Sequence, residues 1–198
     1  MPHHLAHVIG ARPNFIKAAP VIRALRERGV PQRIVHTGRQ DDQGSEALFH
    51  DLRIQQPDVD LGVGSGTDGE QTAAAMVGLE RGWFADPPAL VVVYGDDSSA
   101  LAASLVAAKL GLPSAHVEVG LRSFDRSTPE AVNRLVSDLL ADLLFTTSPE
   151  ADGRSLATGA PVDRVRFVGQ AGERIADEIV DWLAARKAGG PGTAGSPA

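Results

Sequence analysis

Short polar clusters punctuate this chain, each following an apolar run: Gly10-Ala11-Arg12-Pro13-Asn14, Thr37-Gly38-Arg39-Gln40, Gly95-Asp96-Asp97-Ser98, Glu118-Val119-Gly120-Leu121-Arg122, Thr146-Thr147-Ser148 and Gly169-Gln170. Glycines, carboxylates and arginines recur in them. The first cluster offers a glycine for close backbone approach, a helix start whose free N–H groups favour anions, and Arg12 and Lys17 as nearby cations, a set suited to phosphate or pyrophosphate. It is neither G-x-G-x-x-G nor a Walker sequence. The other reading is that Gly10 only turns the chain and Arg12 is solvated. Asp96 follows an apolar strand and precedes a helix, so either Asp96 or Asp97 also reads as a helix cap. Glu118 ends Ala115-His116-Val117-Glu118, where the pattern predicts burial, and a buried carboxylate must be paired or change its pKa. Glu130, just after Pro129, suits a helix first turn for electrostatic reasons, and it stands in register to pair with Arg134. Among the histidines, His116 reads as a satisfied core residue facing either helical layer. His3, His4 and His7 have no recognisable ligand spacing, so a metal site is not expected. Trp83 and Trp182 lie on helical faces and read as packing residues.

These residues need a scaffold that brings distant loops together. Strand-like runs cover Leu5 to Ile9, Arg33 to His36, Ala89 to Tyr94, Ser114 to Glu118, Leu143 to Thr146 and Val165 to Val168. Continuous apolarity, as in Leu90-Val91-Val92-Val93, marks strands buried on both faces. Helical patterns alternate with them. Asn14 to Arg28 places Phe15, Ala18, Ala19, Ile22 and Leu25 on one stripe, stops at Gly29, and must kink or restart at Pro20. Gly69 to Gly82, the largely apolar Ser98 to Leu110, and Ala171 to Arg186 follow. Pro129 to Asp142 is expected to turn Val132, Leu135, Val136 and Leu139 inward. Strands alternating with helices predict an α/β fold, a single doubly wound, Rossmann-like parallel sheet of about six strands. In such sheets ligands bind beyond the carboxyl ends of the strands, where the polar clusters fall. Residues 1–187 read as one domain, and the Gly/Pro/Ala-rich stretch 188–198 as a disordered tail.

Composition narrows the function classes. The chain has 198 residues, 43% of them hydrophobic and 22% charged, which is ordinary for a globular domain and argues against disorder or a coiled coil. It has no cysteine, so thiolate chemistry, disulfides and iron–sulfur ligation are excluded, and a cytoplasmic enzyme is the default expectation. Net charge is -6 with the arginines scattered, so nucleic acid is not an expected partner. The residues from Met1 to His7 lack the pattern of a secretory signal, and no stretch approaches the roughly 18 apolar residues of a membrane span, so no membrane partner is expected.

The runs Gly10-Ala-Arg-Pro-Asn-Phe-Ile-Lys-Ala-Ala-Pro-Val-Ile-Arg-Ala-Leu25, Val93-Tyr-Gly-Asp-Asp97, His116-Val-Glu-Val-Gly-Leu-Arg-Ser-Phe-Asp-Arg126 and Pro129-Glu-Ala-Val-Asn-Arg134 resemble, in order, the motifs of the non-hydrolysing UDP-N-acetylglucosamine 2-epimerases. Leu61-Gly-Val-Gly-Ser-Gly66 with Glu70-Gln-Thr72, and Asp142-Leu-Leu-Phe-Thr-Thr147, extend the likeness, which runs from about residue 5 to 180. The resemblance implies interconversion of UDP-N-acetylglucosamine and UDP-N-acetylmannosamine with no redox cofactor and no metal. The route is anti elimination of UDP to a 2-acetamidoglucal, then re-addition of UDP with C2 inverted. By motif match Asp96, Glu118 and Glu130 would be the active-site carboxylates, and Arg12, Lys17 and Arg134 the cations around a UDP-sugar substrate. Family members are about twice as long and clamp the sugar nucleotide between two Rossmann-like domains. The likeness covers only the amino-terminal one, half of a GT-B-type fold, without the family's catalytic histidine and most uridine-binding groups. Arg39-Gln40 replaces a usual Gln-His, Ala131 the second of two glutamates, and Gln170 an asparagine. The family's regulatory second substrate site used the first of these regions, so allosteric activation is not carried across. The expectation is an epimerase half that needs a complementary carboxy-terminal chain or a homo-oligomer. The alternatives are a catalytically silent nucleotide-sugar-binding or accessory subunit, or a glycosyltransferase-like subunit.

Overall fold

The computed structural model describes residues 4–38, 45–119, 128–148, 161–169 and 172–188, with the backbone alone for 45–47 and 118–119. The elements run β1 (Leu5–Ile9), α1 (Arg12–Glu27), β2 (Gln32–His36), α2 (Ser45–Leu52), β3 (Val59–Asp60), α3 (Asp68–Ala85), β4 (Leu90–Tyr94), α4 (Ser98–Lys109), β5 (Ser114–Val119), α5 (Pro129–Leu140), β6 (Leu143–Thr146), β7 (Val165–Phe167) and α6 (Gly172–Ala188). The strands form a 7-stranded sheet in the order β3-β2-β1-β4-β5-β6-β7, and every pairing is parallel. This is the doubly wound arrangement expected, with one strand more than the sequence pattern suggested. The extra strand, β3, is a 2-residue segment too short to show periodicity. The short helix α2 was also not anticipated; it buries Phe49 against the core. The helix through Pro20 is a single span rather than two, and Ala188, assigned from sequence to the tail, closes α6. The rest of that tail, 189–198, lies outside the described residues.

Alternating side chains along the strands divide the interior into two layers. On one face Leu5, Ile9, Ile34, Leu90, Tyr94 and Phe145 meet α1, α2 and α6. On the other Val8, Val91 and Val93 meet Leu79 and Trp83 of α3 and Val106 of α4. Trp83 is a core residue, and Trp182 is half-buried against the first cluster, with the Arg186 guanidinium 4.7 Å from its ring centre. Both tryptophans pack, as their positions suggested.

Helix α5 departs from its expected orientation. Its buried residues are Asn133, Arg134, Ser137 and Asp138, whereas Val132 and Leu139 are 43% and 51% exposed. The reason lies in the neighbouring strand. Ala115 and Val117 of β5 face the α1 layer, so His116 between them faces α5, and a buried imidazole needs polar partners. The polar stripe of α5 supplies them, and its apolar stripe turns outward.

A second buried histidine sits in β1. Gln32 donates its amide to the Ile22 carbonyl, so its Oε1 accepts from His7 Nε2–H at 2.8 Å, and His7 Nδ1 accepts from the Tyr94 hydroxyl at 2.8 Å. The ring is held neutral, and burial lowers its pKa from 6.5 to about 4. Because the unfolded chain binds this proton near 6.5, stability is full above that pH and falls as the pH drops towards 4. Between pH 7 and pH 4.5 the loss from this one group is about 2 kcal/mol. Urea unfolding of the parent chain and His7→Phe at the two pH values should show a smaller acid-induced loss in the variant by about that amount. Equal losses in both would remove His7 as the cause.

Candidate active site

The strands of a parallel sheet all end at one edge, and there the chain leaves β1, β2, β4 and β5 for the helices. The turn after β4 is tight. Gly95 has φ +74°, a conformation that strains L side chains, and a Cβ there would come within 2.8 Å of Asn14 Oδ1. Gly10, after β1, approaches α4 so closely that an added Cβ would clash with Ser99 Oγ and lie 2.6 Å from Asp97 Oδ2. A larger residue there would have to displace the side chains of Ser99 and Asp97.

Asp97 holds these turns together. As the N-cap of α4 it accepts from the amides of Ser99 at 3.0 Å and Ala100 at 2.9 Å, and it also takes hydrogen bonds from Asn14 Nδ2 at 2.9 Å and the Ala11 amide. Burial pushes its carboxyl pKa up, and the hydrogen bonds, led by that from Ala100, pull it back. Of the two readings for this acidic pair, the cap therefore belongs to Asp97. Beside it Thr37 Oγ1 and Ser99 Oγ lie 2.5 Å apart, tying the end of β2 to α4. This bridge joins hydroxyls 62 positions apart and leaves no local signature in the sequence. Glu70 is engaged with Thr67 in a reciprocal capping box at the start of α3, a role that the Thr-x-x-Glu spacing does encode.

Asp96 is left facing the crevice. Its carboxylate accepts from Arg134 Nη2 at 2.5 Å, and its backbone carbonyl accepts from Asn133 Nδ2 at 3.1 Å. Asp96, Asp97, Asp68 and Glu130 line a cavity of about 240 Å³, together with the backbone-rich Gly10 and Gly38. Two of the three predicted carboxylates, Asp96 and Glu130, thus share one cavity. Glu118 has only its backbone described, and that backbone is irregular. Val117 pairs with Phe145 and Val119 with Thr146, so β5 carries an extra residue at this point. Such bulges increase local twist and interrupt the ladder. The carboxyl end of β5 lies beside that of β4, where Tyr94 is in register with Val117.

The cations are spread wider. Arg134 reaches Asp96, Arg12 is exposed on the first turn of α1, and Lys17 lines a second cavity of about 180 Å³ with Val117, Thr147 and Gly169. That cavity is lined by residues of α1 and α6 and shares no lining residue with the one around Asp96, so Lys17 and the acidic pair line different cavities. His116 Nδ1 is 2.7 Å from Asp138 and its Nε2 is 2.6 Å from the Gly95 carbonyl, which makes it the satisfied core residue anticipated. Among the described residues no three His, Asp or Glu side chains gather in a metal-binding arrangement. The Arg39-Gln40 pair, the stretch from Gly120 to Arg126 and Gln170 lie outside the described residues.

Comparison with known proteins gives this rim a family context. A family model described as UDP-N-acetylglucosamine 2-epimerase matches residues 23–187. The UDP-N-acetylglucosamine 2-epimerase of Methanocaldococcus jannaschii is 38% identical over 166 residues, which are 83% of this chain and 45% of that protein. The UDP-2,3-diacetamido-2,3-dideoxy-D-glucuronate 2-epimerase of Pseudomonas aeruginosa is 44% identical over 140 residues, 70% of this chain and 40% of its own length. A crystal structure of the Methanocaldococcus jannaschii enzyme with UDP-GlcNAc and UDP superposes with a TM-score of 0.81, covering 84% of this chain and 46% of that one. A lipopolysaccharide outer core galactosyltransferase, at 13% identity and a TM-score of 0.59, shares the fold alone. The chain spans under half the length of the curated relatives it matches. With a matching profile over most of its residues and a superposable amino-terminal half, the chain belongs to the UDP-N-acetylglucosamine 2-epimerase family.

Proposed function

We propose that this chain is the amino-terminal half of a UDP-N-acetylglucosamine 2-epimerase, interconverting UDP-N-acetylglucosamine and UDP-N-acetylmannosamine in the cytoplasm. A carboxy-terminal half, on the same longer polypeptide or on another chain, completes it. The observation that carries this reading is the shared cavity of Asp96 and Glu130 at the carboxyl edge of the sheet, with the backbone of Glu118 at the bulge near the end of the neighbouring strand.

In the forward direction a base removes the C2 proton as the C1–O bond to UDP breaks, leaving a C1–C2 double bond. Re-addition returns UDP to C1 and a proton to C2 from the opposite face. Both half-reactions need a positioned acid/base group, and Asp96, Glu118 and Glu130 are the candidates. The departing pyrophosphate gains negative charge, which Arg12, Lys17 and Arg134 are suited to carry. Arg134 also holds Asp96, so in this reading it orients an acid/base residue as well as countering charge. Half a clamp leaves the crevice open to water, which weakens each of these electrostatic effects. Ile16, 60% exposed beside Lys17, and Val132, exposed on the first turn of α5, are apolar groups on the open rim suited to contact with a covering domain or a second copy.

The chain alone, incubated with UDP-N-acetylglucosamine, should yield neither epimer nor free UDP. Joined to the carboxy-terminal half of the Methanocaldococcus jannaschii epimerase, it should yield UDP-N-acetylmannosamine. Turnover by the isolated chain would refute the need for a second half. No turnover in the joined protein, with no UDP-sugar bound, would favour the accessory-subunit reading. In the active assembly Glu118→Gln should lower kcat by about 10²-fold or more with the melting temperature unchanged. An unaltered rate would strike Glu118 from the mechanism.

A further inference from the structure

We propose that His116 and Asp138, a buried pair on β5 and α5, are positioning residues that set the orientation of the Asp96 carboxylate. The assignment of a reactive role to Asp96 rests on the epimerase reading; the geometric claim does not.

The proton inventory of the pair is fixed by its neighbours. The Gly95 carbonyl can only accept, so the Nε2 of His116, 2.6 Å away, must carry a hydrogen. Nδ1 faces Asp138 Oδ1 at 2.7 Å, and a contact that short between a ring nitrogen and a carboxyl oxygen requires one proton between them. Whichever atom holds that proton, the pair as a whole is neutral, which suits side chains that are 0% and 2% exposed. Asp138 thereby selects the tautomer that donates to Gly95. Without it the ring is free to place its hydrogen on Nδ1, which would set a lone pair against the carbonyl.

What the pair holds is the peptide carbonyl between Gly95 and Asp96. That carbonyl leaves a glycine at φ +74°, in the turn that aims Asp96 into the crevice. Two further groups from α5 grip the next residue, Asn133 on its backbone oxygen and Arg134 on its carboxylate. Asn133, Arg134 and Asp138 lie on one helical face, and all three act on Gly95 and Asp96, Asp138 by way of His116. The polar, inward face of α5 is therefore a clamp on a single turn. This explains why a helix whose apolar residues recur at helical spacing nonetheless buries the polar ones.

Asp138→Asn and Asp138→Ala in the full chain separate this from a merely structural role. Asparagine donates through Nδ2 to His116 Nδ1 and preserves the hydrogen on Nε2, whereas alanine removes that control. Crystal structures should show the Asp96 carboxylate in place in Asp138→Asn and detached from Arg134 in Asp138→Ala. An unmoved Asp96 in a normally melting Asp138→Ala overturns the proposal, whether or not any sugar nucleotide is turned over. Should that variant fail to fold, side-chain ¹⁵N spectra of the parent chain decide: a protonated Nε2 on His116 supports the clamp, and a bare Nε2 overturns it. In the joined, active assembly, Asp138→Ala should lower kcat by about 10²-fold with KM little changed, and Asp138→Asn should restore most of it. Displacement of Asp96 with no turnover in the parent assembly would count against the epimerase reading and leave the clamp standing.

Discussion

The half-buried carboxylate of Asp97 is the interaction on which the architecture of the rim depends. It collects hydrogen bonds from the turn after β1 and from the first turn of α4, so it fuses two crossovers of the sheet at the point where the strand order reverses direction. A carboxylate partly withdrawn from water is costly unless its oxygens are satisfied, and Asn14, Ser99 and Ala100 satisfy them. Removing it would leave several buried donors without a partner at once. The closeness of Gly10 to α4 follows from the same knot, since the two segments are drawn together around one acid.

From that knot the division of labour between adjacent acids becomes intelligible. Asp97 is spent on structure, which frees Asp96 to face the crevice under the control of α5. The two residues have the same chemistry and adjoining positions, yet the turn at Gly95 sends one inward and the other to the rim. Around Asp96 the protein concentrates polar groups that would be out of place in a helix–sheet interface elsewhere: Asn133, Arg134, Asp138 and His116. Such an arrangement is expensive to desolvate and is characteristic of surfaces whose geometry must be set closely.

Most of the fold was legible because parallel strands buried on both faces write themselves as unbroken apolar runs, and Leu90-Val91-Val92-Val93 is unmistakable. What was not legible depended on partners rather than on pattern. The inward face of α5 could not be found from the periodicity of Val132, Leu135, Val136 and Leu139, because the decisive fact is the buried imidazole opposite, contributed by a strand distant in sequence. The two-residue strand β3 is defined by pairing with β2 and has no composition of its own to read. At the site, the grouping of Asp96 with Glu130 was implied by the family resemblance, position alone giving each an ordinary cap or first-turn role, whereas the assignment of the cap to Asp97 rather than Asp96 needed coordinates. The irregularity at Glu118 is a register offset between strands, which one strand's sequence does not display.

The two margins of the sheet are short: β3 has 2 residues and β7 has 3. At the first margin, Asp58 and Asp60 fold back onto the amides of Ile34 and Gly62. Open sheet edges normally template the addition of further strands and so promote fibrillar aggregation. Borders this brief offer little to copy. Self-association of this unit would therefore proceed through helix surfaces rather than by strand addition at the margins of the sheet.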